Sequence, residues 1–442
     1  MHEGLTILIV GSGAREHAIS YAYEKSDKVK KIIIAPGNDF IAYQRKKEVI
    51  IDKDCNVKQP HSFLDLARKY KPDLIDVAQD DAIAAGTVDL LRKHGFLVFG
   101  PTQQAARIEW DKQWSREFMK RYDIPCPKFQ YFSDHKKAKE YVTSLYQKNP
   151  KKLLYIKAAG LCEGKGALKT TCLKEALLNI ERMKEFKEAG NFFLIEDGLV
   201  GEEFSYYAIS DGESYSTFIS AQDHKTVFDF DRGEQTGGMG AIAPTEVTKP
   251  FSQDIEKKLI ARAIHGMQRE KTPFVGILYL GGIISNNEVM NIEYNARWGD
   301  PECQVILPSL QTDYIDLIMA FLQKRLSSIK IQQDKKIRVC VVGASKGYPR
   351  NYSSVVGKRI YGIEKVMPMK GITFFGAGIA VRNGNFYANG GRLFNIIGEG
   401  NTLLEARERA YQAMKFITIE GNNLHYRTDI GLRGIERSLK IE

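Results

Sequence analysis

A chain of 442 residues is too long for one hydrophobic core and should fold as two to four domains. Its 43% hydrophobic and 27% charged residues suit a water-soluble globular protein, and no apolar run approaches the roughly 20 residues that span a bilayer, which argues against a membrane protein. The net charge of +10 comes from lysines spread along the chain, such as Lys136-Lys137 and Lys335-Lys336, with no basic stripe of interleaved aromatics, so nucleic-acid binding is not expected.

The first strand is Leu5–Val10, entered directly from the N-terminus with no basic segment or cleavage site, so no signal peptide is expected. A turn, Gly11-Ser-Gly-Ala14, leads into a helix to about Lys25. Strand Lys31–Ala35 ends at Pro36-Gly37-Asn38. Ser62 reads as the N-cap of a helix to Tyr70, followed by strand Leu74–Ala78, helix Asp81–His94 and strand Phe96–Phe99. Strands alternating with helices predict a doubly wound parallel sheet over residues 1–105, whose ligands sit at the carboxyl ends of the strands. Thr102 should cap one long helix to about Tyr122.

Residues 125–198 read as a smaller unit: helix Ser133–Gln147, strand Leu153–Ala158, a glycine-rich loop, helix Leu173–Phe186 and strand Phe192–Glu196. The chain then turns mostly β. Phe204–Ile209 and Ser214–Ala221 flank Asp211-Gly212, and Phe274–Ile284 and Val289–Ala296 flank Asn286-Asn287, both good hairpin turns. A β-rich region follows from 335 to 442, with strand Ile337–Val342 and helix Thr402–Met414. The six cysteines, Cys55, Cys126, Cys162, Cys172, Cys303 and Cys340, show no Cys-x-x-Cys spacing, which suits a reducing cytosol and places the protein in the cytoplasm.

Five stretches carry chemistry. Gly11-Ser12-Gly13 opens a helix and can present backbone N–H groups to an anion; the rival is a plain βα turn. A dinucleotide fingerprint fails, because Glu16 stands where the third glycine belongs and no acid ends the second strand. Lys157 precedes Gly160, Gly164, Lys165 and Gly166, which suits a flap over a polyphosphate. Glu196 and Glu203 bound a hinge, either solvated or hydrogen-bonded to a nucleoside. His224 can be read as a general base, or as a loop histidine beside Asp223. It lies in Gln222–Lys225, which with Thr236–Gly240 flanks a polar stretch that shows no hydrophobic periodicity and reads as a long loop.

The fifth stretch is Asn291–Glu302. Strand alternation puts Asn291, Glu293, Asn295 and Arg297 on one face and Met290, Ile292, Tyr294 and Ala296 on the other. Carboxylate and amide oxygens suit Mg²⁺, and a guanidinium suits a phosphate oxygen.

Taken together, these segments resemble the glycinamide ribonucleotide synthetase (phosphoribosylamine–glycine ligase) family of the ATP-grasp superfamily. The resemblance runs over nearly the whole chain, through Gly11–His17, Ala35–Asn38, Ile156–Gly166, Gln222–Lys225, Thr236–Ala241, Ile292–Glu302, Asn389-Gly-Gly-Arg392 and Asp429-Ile-Gly431. It implies an N-terminal domain (1–105) for a substrate phosphate, an ATP-grasp domain (106–334) with a lid (125–198), and a C-terminal β-rich domain (335–442). The implied reaction joins glycine to 5-phosphoribosylamine through glycyl phosphate, using ATP and Mg²⁺ or Mn²⁺, in a monomer acting on small molecules only.

The resemblance also assigns residues. Lys112 and Lys157 match ATP-phosphate lysines, with Gly164, Lys165 and Gly166 in the flap. Glu196 and Glu203 match the adenine-hinge and ribose positions. Glu293 and Asn295 match metal ligands, and Arg297 the residue against the transferred phosphoryl group. Gly11, Gly13, Asn38, Gly237 and Gly238 fall among substrate contacts, and Asp223 and Asp300 are candidates for holding glycine's ammonium or the attacking amine. Departures include Ala78-Gln-Asp80 for Gly-Pro-Glu, Glu109-Trp-Asp-Lys112 for Glu-Gly-Ser-Lys, Ala159 for aspartate and Gly376 for histidine. Rival readings are another ATP-grasp carboxylate–amine ligase and a degenerate nucleotide-sensing protein.

Overall fold

The computed structural model describes residues 4–160, 162 and 166–439. Five parallel strands, Leu5–Gly11, Val29–Pro36, Glu48–Ile51, Leu74–Val77 and Val98–Phe99, form the N-terminal sheet. Their order is third, second, first, fourth, fifth. Along the first strand, Ile7 and Ile9 enter one core and Leu8 and Val10 another, so both faces are covered, as a parallel sheet requires. The order reverses beside the first strand. The crevice past its end, between Ser12-Gly13 and Gln79-Asp80, is the switch point at which such sheets bind ligands.

Several helices differ from expectation. The helix expected to begin at Ser62 spans Pro60–Tyr70, with proline in the first turn and Gln59 before it. The one expected over 81–94 is two, Asp80–Ala84 and Thr87–Lys93, parted by Gly86 at φ 87°. The long helix expected over 102–122 breaks at Asp111, whose carboxylate accepts the Trp114 N–H (3.0 Å) and caps a new helix, Lys112–Arg121. That break puts Lys112 at the positive end of a helix.

The lid is an antiparallel sheet of Phe129–Phe132, Phe193–Asp197, Leu154–Ala158 and Ala167–Thr170, in that order. Helices His135–Lys148 and Leu173–Arg182 cover it, and it has its own core around Val142, Ile156, Ile180 and Phe193. The rest of the chain is packed continuously: one cluster joins Ile7, Tyr207, Cys303, Cys340 and Phe375.

The central antiparallel sheet runs Tyr215–Thr217, Glu202–Asp211, Val275–Ser285, Glu288–Asn295. Asn286 and Asn287, both at positive φ, close its last hairpin. The polar stretch expected as loop is instead built into sheets. Gln222–Asp223 and Gly240–Ala243 extend the C-terminal sheet of Ile337–Ser345, Arg392–Gly400 and Ile372–Gly376, and Thr226–Phe228 pairs with Arg232–Gln235. Strands this short leave no periodic signature.

Candidate active site

A cleft of about 380 Å³ opens where the switch point, the lid and the central sheet meet. It is lined by Ser12, Gly13, Lys112, Lys157, Glu196, Asp223, Gly237, Glu293, Asn295, Arg297 and Asp300, so most of the residues singled out in the sequence converge. A neighbouring cavity of about 710 Å³, bordered by Tyr155, Leu168, Glu203 and Lys225, continues under the lid. Glu203 and Gly166 lie away from the first cleft. The Gly166 carbonyl accepts the Ala158 N–H (2.9 Å) and closes the base of the flap, while Gly164 and Lys165 lie outside the described residues.

The strand carrying Glu293 is not regular. Gly282 pairs with Asn291 and Gly281 with Glu293, so Ile292 is an extra, bulged residue. The expected alternation therefore fails at one end. Asn291 is fully buried and reaches Tyr294 rather than the cleft, and Ile292 lines the cleft. The bulged carbonyl of Ile292 accepts from Arg116 (2.6 Å). Glu293, Asn295 and Arg297 keep the face expected of them.

The Glu293 carboxylate has no hydrogen bond or ion pair among the described residues, and it faces the cleft. Burial opposes its charge, yet Lys225, Lys157, Lys112 and Arg297 hold its carboxyl below the usual range. Asn295 Oδ1 accepts from Arg297 (3.2 Å), and its amide nitrogen is buried without a partner. An ionised, unpaired carboxylate beside an amide oxygen fits a hard cation. Among the described residues no three acids, histidines or cysteines cluster as a metal site, so the remaining ligands of such a cation would be phosphate oxygens and water. A Cβ at Gly281 would meet Glu293 Cγ at 3.1 Å, which leaves little room there for a further protein ligand.

The two lysines differ. Lys112 Nζ donates to the Gly160 carbonyl (3.2 Å) and has no carboxylate partner among the described residues. Lys157 Nζ sits 2.7 Å from Glu196. Glu196 is also gripped bidentately by Arg116 (2.6 and 3.0 Å). Burial works against its charge, and Arg116 and Lys157 overcome it, drawing its carboxyl down to about 2. Both oxygens of this hinge acid thus serve an internal ion triad that ties the lid to the Lys112–Arg121 helix.

Arg297 is held by Glu109 (2.8 Å) and Asp80 (3.7 Å), with its Nε buried and unpaired. Burial raises the Glu109 carboxyl, whereas Arg297 and Arg15 outweigh burial at Asp80 and lower it. Asp80, in the departure from the Gly-Pro-Glu that the resemblance leads one to expect, supplies the counter-charge.

At the helix mouth, Glu16 takes the anion position itself: its Oε2 accepts the Gly13 N–H (2.6 Å) and its Oε1 pairs with Arg15 (2.7 Å). Gly11 sits at φ 139°, where a Cβ would meet the Glu16 carboxyl at 2.5 Å. Its absence of side chain serves the turn. Asn38 ties two loops, donating to Ser12 O (2.7 Å) and accepting from Phe40 N (3.1 Å), and is not in the cleft wall. Gly376, where the resemblance leads one to expect histidine, leaves room for Phe40: a Cβ there would meet Phe40 Cδ1 at 2.4 Å.

Asp223 Oδ2 pairs with Lys225 (3.2 Å), while Oδ1 is buried with no partner. Burial, aided by Glu302 and opposed by Lys225 and Arg392, pushes its carboxyl up to about 7. Asp300 accepts from Gln304 (2.8 Å) and lies 3.3 Å from Arg392. His224 is buried, held near 4 by burial and the Arg427 charge, which disfavours it as a base at neutral pH.

Sequence reasoning did not select Arg15, Asp80, Glu109, Arg116, Lys225, Glu302 or Arg392 as site residues. Two signals were present. Lys112 and Arg116 are four apart on one helix and share a face. Lys225 and Arg392 sit inside quoted segments. Arg15 and Glu302 also sit inside quoted segments, and Asp80 and Glu109 inside the quoted departures, but none of the four carried a spacing that marked it as a site residue.

Three sequence profiles match the chain: the phosphoribosylglycinamide synthetase N domain over residues 5–109, its ATP-grasp (A) domain over 110–303 and its C domain over 338–433. Phosphoribosylamine–glycine ligase of Fusobacterium nucleatum subsp. nucleatum is 38% identical, over 97% of this chain and 98% of that protein. The human trifunctional purine biosynthetic protein adenosine-3 is 35% identical over 97% of this chain and 42% of its own length. Among solved structures, phosphoribosylamine–glycine ligase from Thermotoga maritima superposes with a TM-score of 0.80 at 28% identity, covering 96% of this chain and all of that one. A biotin carboxylase domain from Hydrogenobacter thermophilus shares the fold, with a TM-score of 0.69 at 15% identity over 96% of this chain and 92% of that one.

Proposed function

Because the chain belongs to the phosphoribosylglycinamide synthetase family, we propose that it joins glycine to 5-phosphoribosylamine at the expense of ATP, through glycyl phosphate. The products are glycinamide ribonucleotide, ADP and phosphate, in purine biosynthesis in the cytoplasm. The observation that carries this reading is the unpaired, ionised Glu293 carboxylate among Lys112, Lys157, Lys225 and Arg297. Such a site suits the displacement of a phosphoryl group, which needs charge neutralisation and alignment and no side-chain nucleophile.

The following roles are supported by the resemblance and, for the described residues, by their placement around the two cavities. Lys112 and Lys157 bind the polyphosphate, and the flap with Gly164, Lys165 and Gly166 covers it. Glu203 faces the cavity under the lid, which suits a ribose. Glu293 and Asn295 hold Mg²⁺ or Mn²⁺, which when bound would screen the phosphate charge. Arg297, fixed by Glu109 and Asp80, aligns the transferred group. Asp223, with an acceptor oxygen unfilled, and Asp300 hold glycine's ammonium or the attacking amine. Gly13 borders the phosphoribosyl side of the cleft, Gly237 and Gly238 lie across from it, and Gly11 and Asn38 shape the turn behind. The division into residues 1–105, 106–334 with lid 125–198, and 335–442, and the monomeric state, belong to the same proposal.

ADP release is measured with ATP, Mg²⁺, glycine and freshly prepared phosphoribosylamine. Turnover with that pair is expected. Turnover with another carboxylate and none with glycine would point to a different member of the superfamily.

A further inference from the structure

We propose that Arg392, from the C-terminal domain, is a positioning residue that sets the spacing and charge of the two amine-holding carboxylates, Asp223 and Asp300. This inference rests on the roles given to Asp223 and Asp300 above.

Arg392 begins the strand Arg392–Gly400 and reaches into the cleft wall. One of its terminal nitrogens, Nη1, lies 2.6 Å from the Gly237 carbonyl, 3.3 Å from that of Gly238 and 2.9 Å from that of Asp300. It is also 3.3 Å from the Asp300 carboxylate. Two separate loops, one after Arg232–Gln235 and one after Glu288–Asn295, are therefore tied by a single guanidinium. A second group from the same domain assists: the Gly237 N–H donates to the Tyr348 hydroxyl (3.2 Å).

The joint that Arg392 holds is tight. Gly238 sits at φ 111° between the two loops, and a Cβ there would meet Pro301 Cδ at 2.4 Å, Asp223 Oδ1 at 2.9 Å and the Asp300 carbonyl at 3.2 Å. Asp223 Oδ1 is the buried acceptor without a partner. Whatever fixes Gly238 thus fixes the distance between Asp223 Oδ1 and the Asp300 loop. A lysine in place of Arg392 would keep the charge, but its ammonium on a flexible stem lacks the planar guanidinium that sets Nη1 among these acceptors.

Arg392 also adds positive charge beside Asp223. The groups facing Asp223 are Lys225 on its own segment, Tyr279 on the central sheet, Glu302 after it, and Cys340 and Arg392 on the C-terminal sheet. Lys225 and Arg392 favour the carboxylate, and Glu302 and burial oppose it. Losing Arg392 therefore makes Asp223 harder to ionise.

The test is steady-state kinetics of Arg392→Met and Arg392→Lys against the parent enzyme, with glycine, phosphoribosylamine and ATP varied in turn over pH 5.5–9. For Arg392→Met, KM for glycine should rise by about tenfold or more, with KM for ATP within about twofold. The acid limb of kcat/KM for glycine should move up by about half to one pH unit, because a nearby positive charge has gone. Arg392→Lys should leave the limb in place and still raise KM for glycine. A limb that does not move in Arg392→Met, or an ATP KM that rises as much as that of glycine, overturns the inference. Absence of turnover in the parent enzyme with this substrate pair would instead overturn the reading on which it rests.

Discussion

Removing Arg116 should unfasten the lid. Its guanidinium and Glu196 are both almost fully buried, at 4% and 3% side-chain exposure, and are joined by two hydrogen bonds. Glu196 is drawn from 4.5 to about 2, which at roughly 1.4 kcal/mol for each tenfold corresponds to about 3 kcal/mol in favour of the buried carboxylate. That agrees with the ~3–5 kcal/mol cost of removing one partner of a buried pair. Because the group's folded value is depressed, this stability is present above about pH 4.5 and lost as pH falls toward 2. Arg116 stands outside the lid and Glu196 on its strand Phe193–Asp197, so the loss falls on the contact between them. In Arg116→Met, amide hydrogen exchange over residues 193–197 and 154–158 should quicken by about a hundredfold, with little change in the N-terminal sheet. KM for ATP should rise as well, because Glu196 is left with Lys157 alone. The double variant Arg116→Met/Glu196→Leu should recover part of the protection, since it removes the stranded carboxylate while leaving Lys157 without its partner. Unchanged exchange in the single variant, or a double variant as loose as the single, would refute the reasoning.

Glu293→Gln removes a carboxylate that has no partner among the described residues and faces the four cations; kcat should fall by at least about a hundredfold in an ADP-release assay over a Mg²⁺ titration, and an unaltered Mg²⁺ dependence would contradict the metal assignment. With Asp223 titrating at about 7, kcat/KM for glycine in the parent enzyme should drop roughly tenfold per pH unit below that value, because only the carboxylate attracts an ammonium. Asp223→Asn should flatten this limb and raise KM for glycine by more than tenfold; a persisting limb would assign it to another group. Gly11→Ala places a Cβ 2.5 Å from the Glu16 carboxyl at a φ of 139°, and should lower the unfolding midpoint by the equivalent of about 1–3 kcal/mol in urea denaturation. Gly376→His should be destabilising by a similar amount, because Phe40 fills that space, and pairing it with Phe40→Ala should restore part of the loss.

Much of the site was legible in the sequence because its residues are close along the chain. Glu293, Asn295 and Arg297 alternate on one strand, and alternation is set by backbone geometry alone. The two turn asparagines, the first parallel strands, the lid's two helices and its strands Leu154–Ala158 and Phe193–Asp197 are likewise local signals, and each appears close to where it was expected, whereas strands Phe129–Phe132 and Ala167–Thr170 were not anticipated. Local patterns failed where a contact from elsewhere overrode them. The bulge at Ile292 turns Asn291 away from the cleft, and Arg116 holds the bulged carbonyl from a helix 176 positions earlier. Asp111 ends one helix and begins another, an effect too small to see against favourable helical propensity on either side.

The family and the inventory of charges were fixed by sequence, since a motif of adjacent residues needs no fold to be recognised. The pairing of those charges was decided only by the tertiary structure. Glu196 reads in sequence as a hinge acid free for a nucleoside, yet Arg116 and Lys157 occupy both its oxygens. Glu16 reads as a missing glycine, yet it caps the helix mouth and takes the place of an anion. Arg392 reads as one residue of a glycine-rich turn, yet it joins two loops more than 90 and 150 residues away. Charge interactions act through space and strengthen with burial, so which acid answers which base depends on distances that no spacing along the chain encodes.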